Sequence, residues 1–142
     1  MDPSDLARFH AAQAGAFAAA AEELRAGRKR GHWMWFLFPQ MRGLGSSAMA
    51  DKYGIGSRAE AEAYLADPVL GPRLIDFFEM ALAHKDLTAR GIFGTPDDLK
   101  FRSCATLFAA LRGAPPVFAA TLDQFFAGQA DVRTLALLRE SG

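Results

Sequence analysis

Apolar residues recur with a helical spacing over most of this chain. Near the N-terminus they repeat at three- and four-residue steps from Leu6 to Leu24, which is typical of one face of an amphipathic helix. Ser4 can cap this helix, and Gly27 is a natural end for it. We therefore predict one continuous first helix with Phe17 on its buried face.

Helix start signals recur along the rest of the chain. Each signal is a capping side chain, an N-terminal proline, or the two together. The starts lie at Ser46 or Ser47, Ser57, Asp67-Pro68, Thr95-Pro96, Pro115-Pro116 and Asp131. The helix that starts at Thr95 is expected to reach Arg112 and to bury Leu99. No run of β-branched residues indicates a strand. The sequence predicts an all-α fold, a single domain over 1–142 with about six to eight helices and no substantial sheet.

The segment from His32 to Phe38 has neither helical nor strand periodicity. It contains both tryptophans of the chain, and Pro39 prevents a helix from continuing through it. A run this short and this apolar has to be buried. We expect a short helical turn or an extended segment that crosses the core, and we expect the surrounding helices to pack on it.

Composition narrows the class of protein. The hydrophobic fraction is 51%, and twelve phenylalanines exclude a disordered chain. Sixteen basic residues balance sixteen acidic ones, so a generally cationic nucleic-acid binder is disfavoured. The single cysteine, Cys104, excludes an internal disulfide and is expected to be buried. The alanine-rich N-terminal region contains charged residues and resembles neither a signal peptide nor a membrane span, so a cytoplasmic location is expected.

Several sequence blocks resemble an uncharacterised, mostly bacterial family, the domain of unknown function 1810, of which some members carry the misleading label calpastatin. The blocks that carry the resemblance include Gly27-Arg28-Lys29-Arg30, His32-Trp33-Met34-Trp35-Phe36, Phe38-Pro39-Gln40, Gly43-Leu44-Gly45, Pro68-Val69-Leu70-Gly71-Pro72-Arg73-Leu74, Ile92-Phe93-Gly94 and Pro96-Asp97-Asp98. The resemblance covers nearly the whole chain. It implies an α-helical array and supplies no activity, substrate or catalytic residue. Gly31 departs from the pattern, because serine is expected there.

Polar residues within apolar sequence are the candidates for ligand binding. They are His32, Trp33, Trp35, Gln40, Arg42, Tyr53, Arg73, Asp98, Lys100 and Ser103. For His32 we favour a structural hydrogen bond over contact with a ligand. Both tryptophans and both tyrosines are expected to pack in the core first, although one of the two tryptophans can line a cleft.

Arg73 and Lys100, on two predicted helices, each have more than one possible partner. Arg73 lies among apolar residues and must pair with an acid such as Glu60 or Asp98, extend to solvent or bind an anionic ligand. Asp97 and Lys100 are spaced for an intrahelical ion pair. We expect the helices that carry Arg73 and Lys100 to converge on His32 and Gln40.

No standard catalytic or cofactor motif is present, and the histidines are too scattered to propose a metal site. The favoured hypothesis is a small-molecule-binding domain, with enzymatic activity left open, whose nucleotide-like or otherwise phosphorylated ligand lies in a cleft beside His32–Gln40. The alternative is a protein-interaction module with aromatic and basic surface residues. Nucleic-acid binding through the basic run before His32 ranks third.

Overall fold

Ten helices follow one another over residues 5–141, the part of the chain that the computed structural model describes. They are α1 (Ala7–Ala14), α2 (Phe17–Ala26), α3 (Met34–Leu37), α4 (Ala48–Tyr53), α5 (Arg58–Ala66), α6 (Leu70–Leu82), α7 (Ala89–Phe93), α8 (Asp97–Ala109), α9 (Pro116–Phe126) and α10 (Val132–Glu140). Within that range the only strand-like pairing is a single bridge between Met41 and Ile55. The all-α prediction is confirmed. None of the described helices is long and apolar enough to cross a membrane.

The predicted first helix is two helices, and this break accounts for part of the excess over six to eight. The chain leaves the helix at Gly15 and restarts at Phe17. The interruption lets α1 pack against α3 while α2 packs against α6. As a result Phe17 is 38% exposed, so the prediction that it is buried is wrong. Ser4, the predicted cap, lies outside the described residues.

Most of the other helix starts are as predicted. The side chains of Ser47, Ser57 and Asp131 each accept a hydrogen bond from a backbone N–H three residues ahead. The Asp67 side chain accepts hydrogen bonds from the backbone N–H groups of Val69, just before α6, and of Leu70, its first residue. Thr95 does not cap α8, which begins at Asp97 without a side-chain cap and ends at Ala109 instead of Arg112.

Phe38 is the centre of the aromatic core. Its ring lies 5.2 Å from that of Phe78 on α6, 5.5 Å from that of Phe93 on α7 and 5.6 Å from that of Phe101 on α8. Burial of each such ring contributes about 1.5–3 kcal/mol. The prediction that helices pack on the His32–Phe38 segment is therefore confirmed, and α3 is the short helical turn expected there.

The buried face of α8 completes this core. Phe101, Cys104 and Phe108 have no solvent-exposed surface. Burial raises the pKa of the Cys104 thiol well above its usual value, so it stays protonated. Leu99, by contrast, is 55% exposed, and the prediction that it points inward is wrong. Because Leu99 precedes the buried stretch on the same helix, one edge of α8 is left open to solvent.

Candidate functional site

Gln40 is held in place by the bridge between the segment after α3 and the segment after α4. Its carbonyl oxygen accepts a hydrogen bond from the Ile55 N–H at 2.9 Å, and the Ile55 carbonyl accepts from the Arg42 N–H at 2.8 Å. The two segments approach so closely that a Cβ on Gly54 would lie 2.7 Å from Arg42 Cα. Only glycine fits there. The backbone from the Gln40 carbonyl to the Arg42 N–H is thus fixed, and the Gln40 side chain lies at the rim of a cleft.

Asp97 joins two lysines at the start of α8. Its Oδ1 lies 2.9 Å from Lys100 Nζ and its Oδ2 lies 2.9 Å from Lys29 Nζ. The predicted pair between Asp97 and Lys100 is confirmed. Lys29, which lies in the loop after α2, was not predicted as a partner because no spacing rule connects it with α8.

Each of these lysines also lies over a tryptophan ring. Lys29 Nζ is 5.1 Å from the ring centroid of Trp33, and Lys100 Nζ is 4.7 Å from that of Trp35. Both distances are typical of cation–π contacts. The result is a continuous chain from Trp33 through Lys29, Asp97 and Lys100 to Trp35, which we call the lysine bridge.

The Asp97 carboxyl is ionised in this setting. Burial alone would raise its pKa, but hydrogen bonds and charge from Lys29 and Lys100 outweigh burial and hold the pKa below its usual value. The carboxylate therefore orients both ammonium groups over the whole neutral range. Lys100 remains 20% exposed and has N–H donors beyond the one directed at Asp97.

Trp33 belongs to the closed end of the lysine bridge. It is 3% exposed, and its indole N–H donates to Glu23 Oε1 at 3.0 Å. The same oxygen accepts from the backbone N–H groups of Arg30 and Gly31. Burial would raise the pKa of Glu23, but these hydrogen bonds and Lys29 hold it below its usual value. Trp33 is therefore a core residue, and its ring does not face a cleft.

A cleft of about 290 Å³ opens beside the other end of the bridge. We call it the Gln40 cleft. The segment after α3, the first two turns of α8 and the start of α10 form its walls, and its lining residues are Gln40, Leu44, Gly45, Pro96, Leu99, Lys100, Arg102, Ser103, Asp131 and Arg133. It contains three of the predicted ligand-binding residues, namely Gln40, Lys100 and Ser103.

Positive charge predominates in the Gln40 cleft. Lys100, Arg102 and Arg133 line it, and Asp131 is the one carboxylate among its lining residues. Arg102 donates to the backbone carbonyl oxygens of Gln129 and Ala130 at 2.8 and 2.9 Å. These acceptors are uncharged, so they orient the guanidinium without neutralising its charge. Such a surplus of cationic groups is the electrostatic condition for binding an anion.

The Asp131 carboxylate is already engaged in structural hydrogen bonds. Its Oδ2 accepts from the Thr134 N–H at 3.0 Å as the cap of α10, and Ser103 Oγ lies 3.4 Å from the same oxygen. Ser103 Oγ also donates to the Leu99 carbonyl at 3.0 Å. The contact between Ser103 and Asp131 joins α8 to the start of α10 on one side of the cleft.

Trp35 and Tyr53 lie behind the Gln40 cleft. Together with Gln40 and Lys100 they surround a much smaller cavity. Trp35 is half-buried, whereas Tyr53 is 8% exposed. Trp35 lines this small cavity and is not among the residues that line the Gln40 cleft, so a cleft-lining tryptophan stays a prediction. Lys100 lies between this ring and the carboxylate of Asp97.

The remaining predicted site residues lie elsewhere. His32 is exposed and has no hydrogen-bond partner among residues 5–141, so the structural role favoured for it is wrong. Arg42 donates to the carbonyl oxygens of Asp51 and Gly54, next to the backbone pairing of Met41 with Ile55. Asp98 lies in the first turn of α8, and its buried Oδ1 has no partner within the described range.

Arg73 does not converge on Gln40. Its Nη1 donates to Gln13 Oε1 at 3.0 Å, and its guanidinium lies 4.0 Å from the ring centroid of Phe17. It forms an ion pair with neither Glu60 nor Asp98, and Glu60 is instead paired with Arg8 at 2.9 Å. The expected convergence of Arg73 and Lys100 is wrong, because Arg73 contacts Gln13 on α1 and Phe17 on α2.

Arg133 is a cationic lining residue that the sequence analysis did not single out. It is exposed on α10, two residues after the cap at Asp131, and its Nη2 lies 3.5 Å from the Gly43 carbonyl. The cap could be read from the sequence, but no sequence signal places α10 beside Gly43. Over residues 5–141 no three His, Cys, Asp or Glu side chains come together in a way that could hold a metal ion.

Comparison with known proteins gives a family and one close structural relative. The family described as "Protein of unknown function (DUF1810)" matches residues 3–138. This chain is similar to the conserved hypothetical protein Rv1873 from Mycobacterium tuberculosis, whose crystal structure superimposes on it with a TM-score of 0.94. The two sequences are 52% identical, and the alignment covers 97% of this chain and 99% of that chain. The name of that protein specifies neither a ligand nor a reaction. No curated protein matches the chain.

Proposed function

The chain belongs to the DUF1810 family, whose description names no activity, and we propose that its Gln40 cleft binds a small phosphorylated ligand. The observation that carries this proposal is the charge of the cleft. Three cationic side chains, Lys100, Arg102 and Arg133, line it with the carboxylate of Asp131, and the Asp97 carboxylate that pairs with Lys100 is shared with Lys29, so positive charge remains in excess. A phosphate group supplies the negative charge that this arrangement lacks.

In this proposal the lining residues have different tasks. Asp97 holds the Lys100 ammonium in place, so part of the entropy cost of ordering this side chain is met before a ligand arrives. Arg133 is exposed, and its one contact with Gly43 is a long one of 3.5 Å to a carbonyl oxygen, which a bound phosphate can replace. The Gln40 side-chain amide has no hydrogen-bond partner among the described residues and is available to a neutral part of the ligand, such as a sugar or a base.

The proposal concerns binding and includes no reaction. Ser103 is the one hydroxyl among the lining residues, and no histidine lies with it in the cleft. Its Oγ donates to the Leu99 carbonyl, and the neighbouring Asp131 carboxylate lies 3.4 Å away and already accepts from Thr134, so Ser103 is not arranged as an activated nucleophile. A nucleotide-like ligand fits a cleft of about 290 Å³ when the base or sugar extends over the rim at Leu44 and Leu99.

A ligand panel tests the proposal. Inorganic phosphate, pyrophosphate, AMP, ADP, ADP-ribose and NAD are each added to the protein, and the shift in Tm is measured. Calorimetric titration then gives Kd for each compound that raises Tm. We expect at least one phosphorylated compound to stabilise the protein, and its affinity to fall as salt is added because charge carries the contact.

A matched pair of variants locates the site. Arg133→Gln removes one cation from the cleft and is expected to weaken binding roughly threefold to tenfold. Arg139→Gln removes an exposed arginine from the same helix outside the cleft and should leave Kd unchanged. If no phosphorylated compound binds, or if both variants bind as tightly as the unmodified chain, the Gln40 cleft is not a phosphate site.

A protein-interaction module is the second candidate, and exposed apolar side chains favour it. Leu99 lines the cleft and is 55% exposed, and Val132 at the start of α10 is 74% exposed. Trp33, in contrast, is buried and is not available to a partner. Affinity capture with the unmodified chain and with Leu99→Ser tests this candidate. Identical sets of captured proteins would count against it.

Nucleic-acid binding has less support from the geometry. Lys29 is the centre of the basic run before His32, but it is 9% exposed and paired with Asp97. Around the adjacent surface, Glu22 and Glu23 lie among Arg28 and Arg30. The acidic side chains reduce the positive potential that a phosphate backbone requires.

A further inference from the structure

A second and larger concavity lies between α2 and α6. Its volume is about 530 Å³, and none of its lining residues belongs to the Gln40 cleft. Its walls are largely apolar, with Phe17 and Val69 exposed by 38% and 43%. Two arginines, Arg25 and Arg73, and one acid, Asp76, supply its charge. We call it the α2–α6 groove.

The orientation of Arg73 in this groove is fixed by a buried amide. Gln13 is 1% exposed, and its Nε2 donates to the Phe36 carbonyl at 2.7 Å and to the Tyr64 hydroxyl at 2.9 Å. With both amide hydrogens used, Gln13 must direct its Oε1 toward Arg73, which donates to it at 3.0 Å. The Arg73 guanidinium also lies over the Phe17 ring, 4.0 Å from its centroid.

Arg73 therefore presents an ordered cation without a counter-ion. A guanidinium has five N–H donors, and Gln13 accepts from one nitrogen, Nη1. None of the carboxylates in residues 5–141 lies within ion-pair distance of Arg73, although Asp76 lines the same groove one turn further along α6. A half-buried arginine that is held in one orientation and lacks an acidic partner is well suited to bind an acid from solution.

We propose that the α2–α6 groove binds a small amphipathic monocarboxylate, with its carboxylate on Arg73 and its apolar body along Phe17, Val69 and Met80. Charge complementarity selects this class of ligand. Arg25 and Arg73 together exceed Asp76 by one positive charge, which a single carboxylate neutralises. The planar fork of a guanidinium accommodates a carboxylate through two parallel hydrogen bonds. The apolar walls favour a hydrocarbon or aromatic body.

Paired probes test the carboxylate and the apolar body separately. Decanoate is compared with decanol, and indole acetate with indole acetamide, by calorimetric titration and by amide chemical-shift changes in the labelled protein. We expect the two carboxylates to bind, the shifts to concentrate in α2 and α6, and each neutral counterpart to bind about tenfold more weakly because it lacks the charge-assisted hydrogen bonds.

Three substitutions assign the binding to the groove. Arg73→Lys keeps the charge but loses the fork, and should weaken decanoate about tenfold while decanol is unaffected. Val69→Glu places a negative charge at the groove without touching the Arg73–Gln13 contact, and should also weaken decanoate. Val132→Glu is its matched control, because it puts the same exposed acid at the start of another helix outside the groove.

Loss of folding and loss of carboxylate binding can be distinguished. Thermal unfolding identifies any variant that fails to fold, and Val69→Glu then decides, because an acid at a helix N-terminus is compatible with the helix dipole. The proposal is overturned if no carboxylate of the panel binds at millimolar concentration. It is equally overturned if decanoate and decanol bind alike, or if Val69→Glu and Val132→Glu bind decanoate with the same affinity.

Discussion

The two ends of the lysine bridge contain the same residue types but have different environments. At one end Lys29 covers Trp33, which is 3% exposed and donates its N–H to Glu23. At the other end Lys100 covers the half-buried Trp35 beside the Gln40 cleft. Asp97 binds both lysines at the same distance.

The difference between the ends lies in what surrounds each tryptophan. The loop after α2 folds over Trp33, and the Glu23 carboxylate fixes that loop by accepting three N–H groups. Within residues 5–141 no comparable loop closes the end with Trp35, where α8 and α10 leave a cleft between them. One motif of alternating aromatic residues thus supplies a structural contact on one side and the wall of a candidate site on the other.

Removal of each tryptophan ring should give the largest contrast. Trp33→Ala is expected to cost about 3–5 kcal/mol of unfolding free energy, because it empties a buried volume and leaves Glu23 without one donor. Trp35→Ala should cost about 1–2 kcal/mol, because water can fill part of the space. Chemical denaturation of both variants measures the difference, and equal losses would contradict the assignment of Trp33 to the closed end.

Substitution of each lysine should give a smaller contrast. Lys29→Met is expected to cost about 1–2 kcal/mol, because Lys29 is 9% exposed and helps to neutralise the partly buried Asp97. Lys100→Met should cost less than about 1 kcal/mol but should weaken a phosphorylated ligand. Denaturation gives the first quantity and calorimetric titration the second. A Lys100→Met protein with unaltered ligand affinity would show that the open end of the bridge has no part in binding.

Acid should produce the smallest effect, and it tests Asp97 in the lysine bridge together with Glu23, which accepts a hydrogen bond from Trp33. The pKa values of Glu23 and Asp97 are lowered in the folded protein, from ordinary values of 4.5 and 3.8. Their contribution to stability is therefore complete above those ordinary values and is lost as the pH falls through the lower folded values. Because both groups are partly exposed, each contributes at most about 1 kcal/mol.

The control for this titration is Glu23→Gln, which keeps an oxygen acceptor but does not ionise in this range. Unfolding free energy measured from pH 6 down to about pH 2 should decline less in this variant than in the unmodified chain. A decline of the same size in both proteins would mean that Glu23 has the same pKa when folded and unfolded.

Local sequence signals predicted a large part of the fold correctly. The caps at Ser47, Ser57 and Asp131 act on backbone groups three residues away, so the sequence contains both partners of each contact. The pair between Asp97 and Lys100 was predictable for the same reason, since its partners lie one turn apart.

Predictions failed where a distant part of the chain changed the outcome. The helical pattern from Leu6 to Leu24 continues through Gly15, but packing of α1 on α3 and of α2 on α6 interrupts the helix there. Leu99 fits an inward stripe, but it faces the Gln40 cleft where no helix covers it. Neither result can be derived from residue spacing.

By itself, the sequence determined the all-α class, most helix starts and the central position of the His32–Phe38 segment, because these follow from backbone capping and from the burial of a dense apolar run. Only the tertiary structure decided which polar groups meet. Lys29 reaches Asp97 across 68 positions of sequence, and Arg133 lies near the Gly43 carbonyl across 90. Such contacts depend on how the helices pack in three dimensions, and residue spacing holds no record of that packing.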